Sequence, residues 1–351
     1  MNSYDNRMRM SDAITWLRFP LIFLIIMLHC YSVQRLEGNH ELYFKVLYPF
    51  SLWLGETGVP CFFFISGYLF FLSKKTYLQK LSTRVHTLLV PYLLWNSMLV
   101  IFYLLVWMIG YPQEINGHSL ADYHVVDYVR LFWDRGSYDN GNFVPILCPL
   151  WYIRNLLVMS LISPLIYYIL KYLREFFLLF VTVWWLMTNH NAFIPQTILF
   201  FALGAYFSVF SVNPLKVVLD KKTVFITIFL VFAIGDIFSH VIYGTPVNLQ
   251  IHRLSLLFNI PVLFLLADYG MRRNYQCKSL SNAAFMVFCV HYPLVILLRK
   301  LCVVYFSELN DVFQILLYFF CVVIATVGSL GVYFILDKFF PKIKNVLSGN
   351  R

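Results

Sequence analysis

Long apolar segments recur along almost the whole chain and constrain its fold more than any other feature. Ten are visible, at about 14–33, 46–72, 88–110, 148–170, 175–188, 194–210, 223–241, 251–269, 282–300 and 313–336. A helix needs about 20 apolar residues to cross a bilayer, and most of the segments approach or exceed that length, the fifth and sixth being shorter. With 60% hydrophobic and 13% charged residues, the sequence predicts an all-α integral membrane protein with about ten transmembrane helices.

Lysine and arginine positions predict the topology, because cytoplasmic loops carry an excess of these residues. If the N-terminus is cytoplasmic, two-thirds of the 27 fall in cytoplasmic segments and fewer than a quarter in outer ones. The net charge of +10 is then a topology signal, and we expect no nucleic-acid partner. The sequence predicts that both termini are cytoplasmic, with an N-terminal tail at 1–13, a transmembrane domain at 14–337, an outer loop at about 111–147 and a basic C-terminal tail at 338–351.

The first apolar segment carries one cation and one imidazole, Arg18 and His29. Eleven positions at 100° each bring them to within about 20° of the same helix face, roughly 16 Å apart along the axis. A charge inside a membrane helix is unfavourable by about 3 kcal/mol, so it usually faces a cavity or a partner. We therefore interpret this face as the wall of a functional chamber.

Five further polar side chains fall within or at the ends of predicted segments, mostly toward the outer side: Glu56, Arg154, His252, Arg253 and His291. Each has a structural interpretation beside the functional one. Glu56 and Arg253 could be exposed at the membrane interface, and His291 could be a packing histidine. Trp151 and Tyr152 could belong to the aromatic belt found at membrane surfaces.

The seven cysteines stand singly, without the paired spacing of a zinc site or a disulfide framework. The acidic and histidine residues of the outer loop also lack metal-ligand spacing. We therefore predict no bound metal. The N-terminal apolar segment is too long for a cleavable signal peptide and is not followed by a small-residue cleavage site.

Several short motifs follow one another in an order that carries more information than any of them alone. Arg18 and His29 have ten residues between them, and the later motifs are Gly58-Val59-Pro60, Phe63-Phe64-Ile65-Ser66-Gly67-Tyr68, Val90–Trp95, Leu150–Arg154, Ser163-Pro164-Leu165, Phe200–Gly204 and His291-Tyr292-Pro293. This series resembles the acyltransferase-3 family of integral membrane O-acyltransferases over nearly the whole chain. One departure concerns the basic pair after the second segment, since many members carry two arginines three apart and this chain has Lys80 and Arg84.

The resemblance implies a reaction, its substrates and a location. An acyl group, usually acetyl, would pass from acetyl-CoA in the cytoplasm to a hydroxyl of a cell-surface or lipid-linked glycan across the membrane. Acetyl-CoA would be a co-substrate, with no bound cofactor. The partners would be the acyl-CoA donor, the glycan or lipid-linked saccharide acceptor and the bilayer. The location would be the bacterial inner (cytoplasmic) membrane, with several passes.

Roles for individual residues follow from the same resemblance combined with the chemistry of acyl transfer. A sugar hydroxyl needs a base, and His29 suits that task near neutral pH. Glu56 would orient the imidazole, and Arg154 or Arg18 would stabilise an oxyanion or bind donor phosphates. The predicted catalytic residues are thus His29, Glu56 and Arg154, and the predicted substrate-binding residues are Arg18, Lys80, Arg84, Ser66, Trp151, Tyr152, His291 and Arg253.

A secondary transporter or flippase of a sugar-linked or anionic substrate is the competing interpretation, since buried charges in many helices fit that class too. We see no inverted repeat that would favour it. A membrane scaffold would leave the aligned Arg18 and His29 unexplained. The sequence leaves open which glycan is acylated, which acyl group is used, whether an acyl-enzyme intermediate forms, and the oligomeric state.

Overall fold

A computed structural model describes residues 3–31, 41–115, 117–136, 143–188, 193–239, 245–273, 275, 278–306 and 310–350. These residues are predominantly helical, with one antiparallel pairing of two short strands, Glu114–Ile115 (β1) and His118–Ser119 (β2). The helices are α1 Ser3–Tyr31, α2 Glu41–Tyr48, α3 Gly58–Leu72, α4 Tyr77–Arg84, α5 Val90–Met108, α6 Val125–Arg130, α7 Trp151–Leu161, α8 Ser163–Met187, α9 Phe193–Val209, α10 Pro214–Asp220, α11 Lys222–Ser239, α12 Pro246–Arg272, α13 Lys278–Phe306, α14 Asp311–Phe339 and α15 Pro341–Leu347.

Seven helical stretches of the described chain are long and apolar enough to cross a membrane, and the total reaches nine if each of two bent pairs forms one span. The predicted ten lies just above this range. The seven are Arg9–Tyr31, Glu41–Leu72, Tyr77–Met108, Lys222–Ser239, Pro246–Arg272, Lys278–Phe306 and Asp311–Phe339. The class of the fold is therefore as predicted, while the number ten and the cytoplasmic position of both termini stay predictions.

The two bent pairs include the fifth and sixth predicted segments, which are the shortest of the ten. The segment predicted at 148–170 bends by 67° between α7 and α8, and α9 meets α10 at 91°. A proline follows each break, Pro164 in the first and Pro214 in the second. Each proline occupies the first turn of the helix after the break, where its missing N–H is tolerated, so a new helix starts at these points. A second irregularity lies inside α8, where Arg174 adopts a positive φ of 49°.

Helix α1 lies at the centre of the bundle and contacts α3, α12, α13 and α14. Leu17, Leu21 and Ile25 on its inner face are at most 1% exposed. Glycines let the second span approach α1 closely, since a Cβ at Gly55 would lie 2.9 Å from that of Leu28. This contact places residue 56 at nearly the same depth as His29.

Helices α3 and α9 cross with their backbones in contact. A Cβ atom at Gly67 would lie 2.0 Å from the carbonyl oxygen of Phe201, and one at Gly204 would lie 1.9 Å from that of Phe64. A side chain at either position would force the helices apart. These two glycines belong to the motifs singled out in the sequence. The close crossing that they permit fixes the position of α3, which carries Ser66.

The described part of the segment predicted as an outer loop, 111–147, contains β1, β2 and α6. Its described part has a small core of Ile115, Leu120, Leu131 and Ile146, separate from the main core. The hydroxyl of Tyr92 on α5 donates to the carbonyl of Phe132 and ties the loop to the bundle. The loop therefore forms a cap on one end of the helices.

Candidate active site

A cavity of about 560 Å³ opens between α1, α3, α4, α7 and α13. Four cations line it, namely Arg18, Lys75, Lys80 and Arg84. It lies toward the end of the bundle whose connections carry Lys74, Lys75 and Lys278, which we call the basic end. The positive-inside rule expects that end to be cytoplasmic. The volume falls within the range of small-molecule and cofactor sites.

Lys80 and Arg84 project from one face of α4, because residues four apart are neighbours on a helix. Both pack against the same aromatic ring: the Nζ of Lys80 lies 5.0 Å from the centre of Phe70, and the guanidinium carbon of Arg84 lies 5.6 Å from it. Such cation–π contacts orient a cation without neutralising it. The pair therefore presents two charges to the cavity although its spacing departs from the family pattern.

Polar and aromatic side chains from three helices close the inner part of the cavity. Ser66 of α3 and Tyr152 of α7 both line it, with their hydroxyl oxygens 3.2 Å apart. The ring of Phe288 on α13, another lining residue, lies 6.0 Å from that of Tyr152. Trp151 instead stacks on Phe193 at 4.1 Å and is not among the lining residues. Ser66 and Tyr152, both predicted to bind substrate, thus line the cavity, and their binding role stays a prediction.

Beyond this inner wall lies an aromatic cluster that contains His29. Its ring centre is 5.3 Å from that of His291 and 5.1 Å from that of Tyr292. The ring of His291 in turn lies 5.9 Å from that of Phe288. Arg18 lines the cavity on the same helix as His29, about 16 Å away at the rise of an α-helix. The sequence-predicted base thus lies behind the cavity wall, linked to the lining residue Phe288 through the ring of His291.

His291 is fully buried, and one of its ring nitrogens has a defined partner. Its Nδ1 lies 3.2 Å from the carbonyl oxygen of Val287. Because a carbonyl only accepts hydrogen bonds, this nitrogen carries the hydrogen. In a neutral ring Nε2 then holds a lone pair, and it meets no donor in the part of the chain that the structure describes.

Glu56 was predicted to orient His29, but among the described residues its carboxylate contacts His252. The Oε2 of Glu56 lies 3.1 Å from Nε2 of His252, whose Nδ1 lies 2.8 Å from Oδ2 of Asp236. The hydroxyls of Tyr48 and Ser255 also donate to Asp236, at 2.7 and 2.8 Å. These residues form a second polar cluster, separate from the cavity.

Comparison with known proteins identifies the family of the chain. A family model described as an acyltransferase domain matches residues 11–334. The chain belongs to the acyltransferase-3 family. It is therefore an O-acyltransferase, and its long apolar helices make it a multi-pass membrane protein. It is also similar to the succinoglycan biosynthesis protein ExoH of Rhizobium meliloti (strain 1021), with 27% identity over 360 residues that cover 97% of this chain and 92% of that protein. No solved structure matches the chain.

Arg154 of this acyltransferase is 4% exposed and is engaged by the loop at 111–147. It donates to the carbonyl oxygens of Trp133 and Phe143 and to Oδ1 of Asn155. Its guanidinium also lies 4.3 Å from the ring centre of Phe143. These contacts fasten the loop to α7, and the predicted oxyanion role would require them to break.

Arg253 likewise has protein partners. It is 4% exposed and donates to the carbonyls of Trp185 and Leu186, in the last turn of α8. A cation is favourable there because it faces the negative end of the helix dipole. The structure thus places Arg253 at a helix terminus, and it is not among the residues that line the cavity. A role in substrate binding stays a prediction.

Two groups of site residues were missed in the sequence. Ser281 and Asn282 line the cavity from the first turn of α13, and Oγ of Ser281 has no hydrogen-bond partner among the described residues. No local signal distinguishes them from a helix start. Asp236 did carry a signal, since an acidic residue inside an apolar segment usually marks function.

Proposed function

We propose that this acyltransferase moves an acetyl or other acyl group from cytoplasmic acyl-CoA to a hydroxyl of a surface or lipid-linked glycan, with His29 as general base. The observation that carries the proposal is the basic cavity whose inner wall adjoins the histidine cluster. The succinoglycan relative supports a polysaccharide acceptor. A bacterial inner membrane is the location this proposal requires.

The donor side of the proposal rests on charge. Coenzyme A carries several phosphate groups, and Arg18, Lys80 and Arg84 give the cavity three cations that can form charge-assisted hydrogen bonds with them. Lys80 and Arg84 belong to α4, at the basic end, while Arg18 lies deeper on α1. A donor bound by its phosphates at α4 would extend its thioester inward toward Ser66 and Tyr152.

The chemical step needs one proton transfer and one acyl transfer. His29 takes the proton of the acceptor hydroxyl while that oxygen forms a bond to the thioester carbonyl carbon. The tetrahedral oxyanion then collapses, the carbon–sulfur bond breaks and the thiolate leaves. The imidazolium of His29 returns the proton to the thiolate, so that ester and free thiol are the products.

His291 would orient His29, which is the role predicted from the sequence for Glu56. Its Nε2 lone pair meets no donor among the described residues, and the ring of His29 lies beside it with the two ring centres 5.3 Å apart, so we infer that an N–H of His29 turns to this lone pair in the working enzyme. That bond would hold the second nitrogen of His29 toward the hydroxyl. In this proposal His291 is a positioning residue rather than a base.

Labelled acetyl-CoA tests the reaction in inverted membrane vesicles from cells that make their own surface glycan. We expect label in base-labile glycan esters and release of one CoA thiol per ester formed. Vesicles without the protein are the control. A transporter would give neither ester nor thiol, and that result would remove the proposal.

A further inference from the structure

The cluster of Glu56, His252 and Asp236 lies on the opposite side of the proposed chemistry from the donor cavity. Asp236 is in the last turn of α11, and His252 is in the second turn of α12. The far ends of both helices carry Lys222 and Arg272, at the basic end. The cluster therefore belongs to the other end of the bundle, from which the acceptor would come.

The hydrogen-bond pattern defines the charge of the cluster. Both ring nitrogens of His252 face a carboxylate oxygen, at 2.8 and 3.1 Å. A neutral imidazole has a single N–H, so when both carboxyl groups are ionised the two bonds require a protonated ring. Asp236 has no exposed surface and accepts from Tyr48, Ser255 and His252. The charges of Asp236 and His252 thus offset each other, and the hydrogen-bond partners of Asp236 all lie within the protein. The remaining negative charge belongs to Glu56.

Glu56 differs from its two partners in exposure. Its side chain is 41% exposed, against 11% for His252 and 0% for Asp236. It is also at nearly the depth of His29, because its neighbour Gly55 packs on Leu28. An ionised carboxylate at that depth is compatible with water or a polar ligand but not with lipid tails. Water or a polar ligand therefore reaches Glu56 from that end of the protein.

Helix α12 continues the polar cluster beside Glu56 with buried side chains. His252, Ser255 and Asn259 lie on one helix face, since their spacings of three and four residues bring them into register. The Nδ2 of Asn259 donates to Oγ1 of Thr57 at 2.9 Å. The Oδ1 of Asn259 is buried and meets no donor within the described ranges. Asn259 and Thr57 thus extend the polar cluster from Glu56 into the interior of the bundle.

We propose that Glu56 binds a hydroxyl of the saccharide acceptor, and that His252 and Asp236 are positioning residues that hold its carboxylate at the level of His29. This inference rests on the proposed function, since it supplies the acceptor half of the same reaction. One oxygen of Glu56 stays on His252, and the other receives the hydroxyl hydrogen. An acidic acceptor site and a basic donor cavity then meet from opposite ends of the protein.

The test uses inverted vesicles from host cells that carry each variant in place of the native copy, with their own glycan as acceptor. We expect Glu56→Gln and Asp236→Asn each to lower labelled glycan ester at least ten-fold. The affinity for acetyl-CoA, measured on the purified proteins, should stay within two-fold of the native value. Glu56→Asp should recover part of the transfer. Glu41→Gln is the matched control, because this side chain is 70% exposed on α2 and should be silent.

Three outcomes separate the inference from the proposed function. Full transfer by a stable Glu56→Gln variant would overturn the acceptor role alone. An equal loss of transfer and of acetyl-CoA affinity would also overturn it, because a merely structural cluster would affect both. No ester in the native vesicles would instead contradict the proposed function itself.

Discussion

Replacing His29 by Ala or Gln should lower acyl transfer by about 10²- to 10⁴-fold, the usual contribution of a general base. The reason is that a sugar hydroxyl is a weak nucleophile, and neither replacement can accept its proton with comparable basicity. The affinity for acyl-CoA should change less than two-fold, because His29 is not among the residues lining the donor cavity. Initial rates of ester formation and equilibrium binding of acyl-CoA, measured on the same preparations, check both expectations.

His86→Ala provides a matched control for this loss. His86 is exposed near the basic end and does not line the cavity, so the variant should retain native transfer. A His29→Gln protein that is stable and transfers at the native rate would remove His29 from the mechanism. A loss of acyl-CoA affinity equal to the loss of rate would instead assign His29 to donor binding.

Removing the two cations of α4 should weaken donor binding rather than slow chemistry. A charge-assisted hydrogen bond contributes about 1.5–3 kcal/mol, and 1.4 kcal/mol corresponds to a ten-fold change in affinity. We therefore expect Lys80→Ala and Arg84→Ala each to raise the KM for acyl-CoA by about ten-fold or more. The charge reversal Arg84→Glu should have a larger effect. Steady-state kinetics with acyl-CoA varied at saturating glycan measure this, and kcat should stay close to native.

Lys74→Ala is the matched control for these cations. Lys74 is exposed in the connection that precedes α4 but does not line the cavity. Its removal should therefore leave the KM for acyl-CoA unchanged. Rising ionic strength should also raise the KM of the native protein, because salt screens the attraction between phosphates and cations. An unchanged KM in Arg84→Glu would contradict the placement of the donor in this cavity.

The fold class was readable from the sequence because a bilayer permits few solutions. Long apolar segments must become helices there, and the seven long candidate spans coincide with predicted segments. The region from 148 to 220 was harder to read. The bends at α7–α8 and α9–α10 leave helices whose number of crossings cannot be counted from hydropathy alone.

Arg18 and His29 show which part of the site a sequence can predict. Helical periodicity alone placed both on one face of α1, and the structure finds Arg18 in the cavity lining and His29 behind that lining, in ring contact with His291. The partner of Glu56 was not predictable, because His252 is distant in sequence and the pairing depends on how α12 packs beside α3. The partners of Arg154 were not predictable either, because the carbonyls of Trp133 and Phe143 reach it only in the folded 111–147 loop.

Sidedness tests the central claim most directly, namely that donor and acceptor meet from opposite ends of the protein. Labelled acetyl-CoA, which does not cross membranes, would be supplied to sealed inverted and right-side-out vesicles that contain the native protein and its glycan. We predict labelled glycan ester on the lumenal side of inverted vesicles, and none in right-side-out vesicles. Equal labelling in right-side-out vesicles would contradict the account, because it would place donor and acceptor on the same side of the membrane.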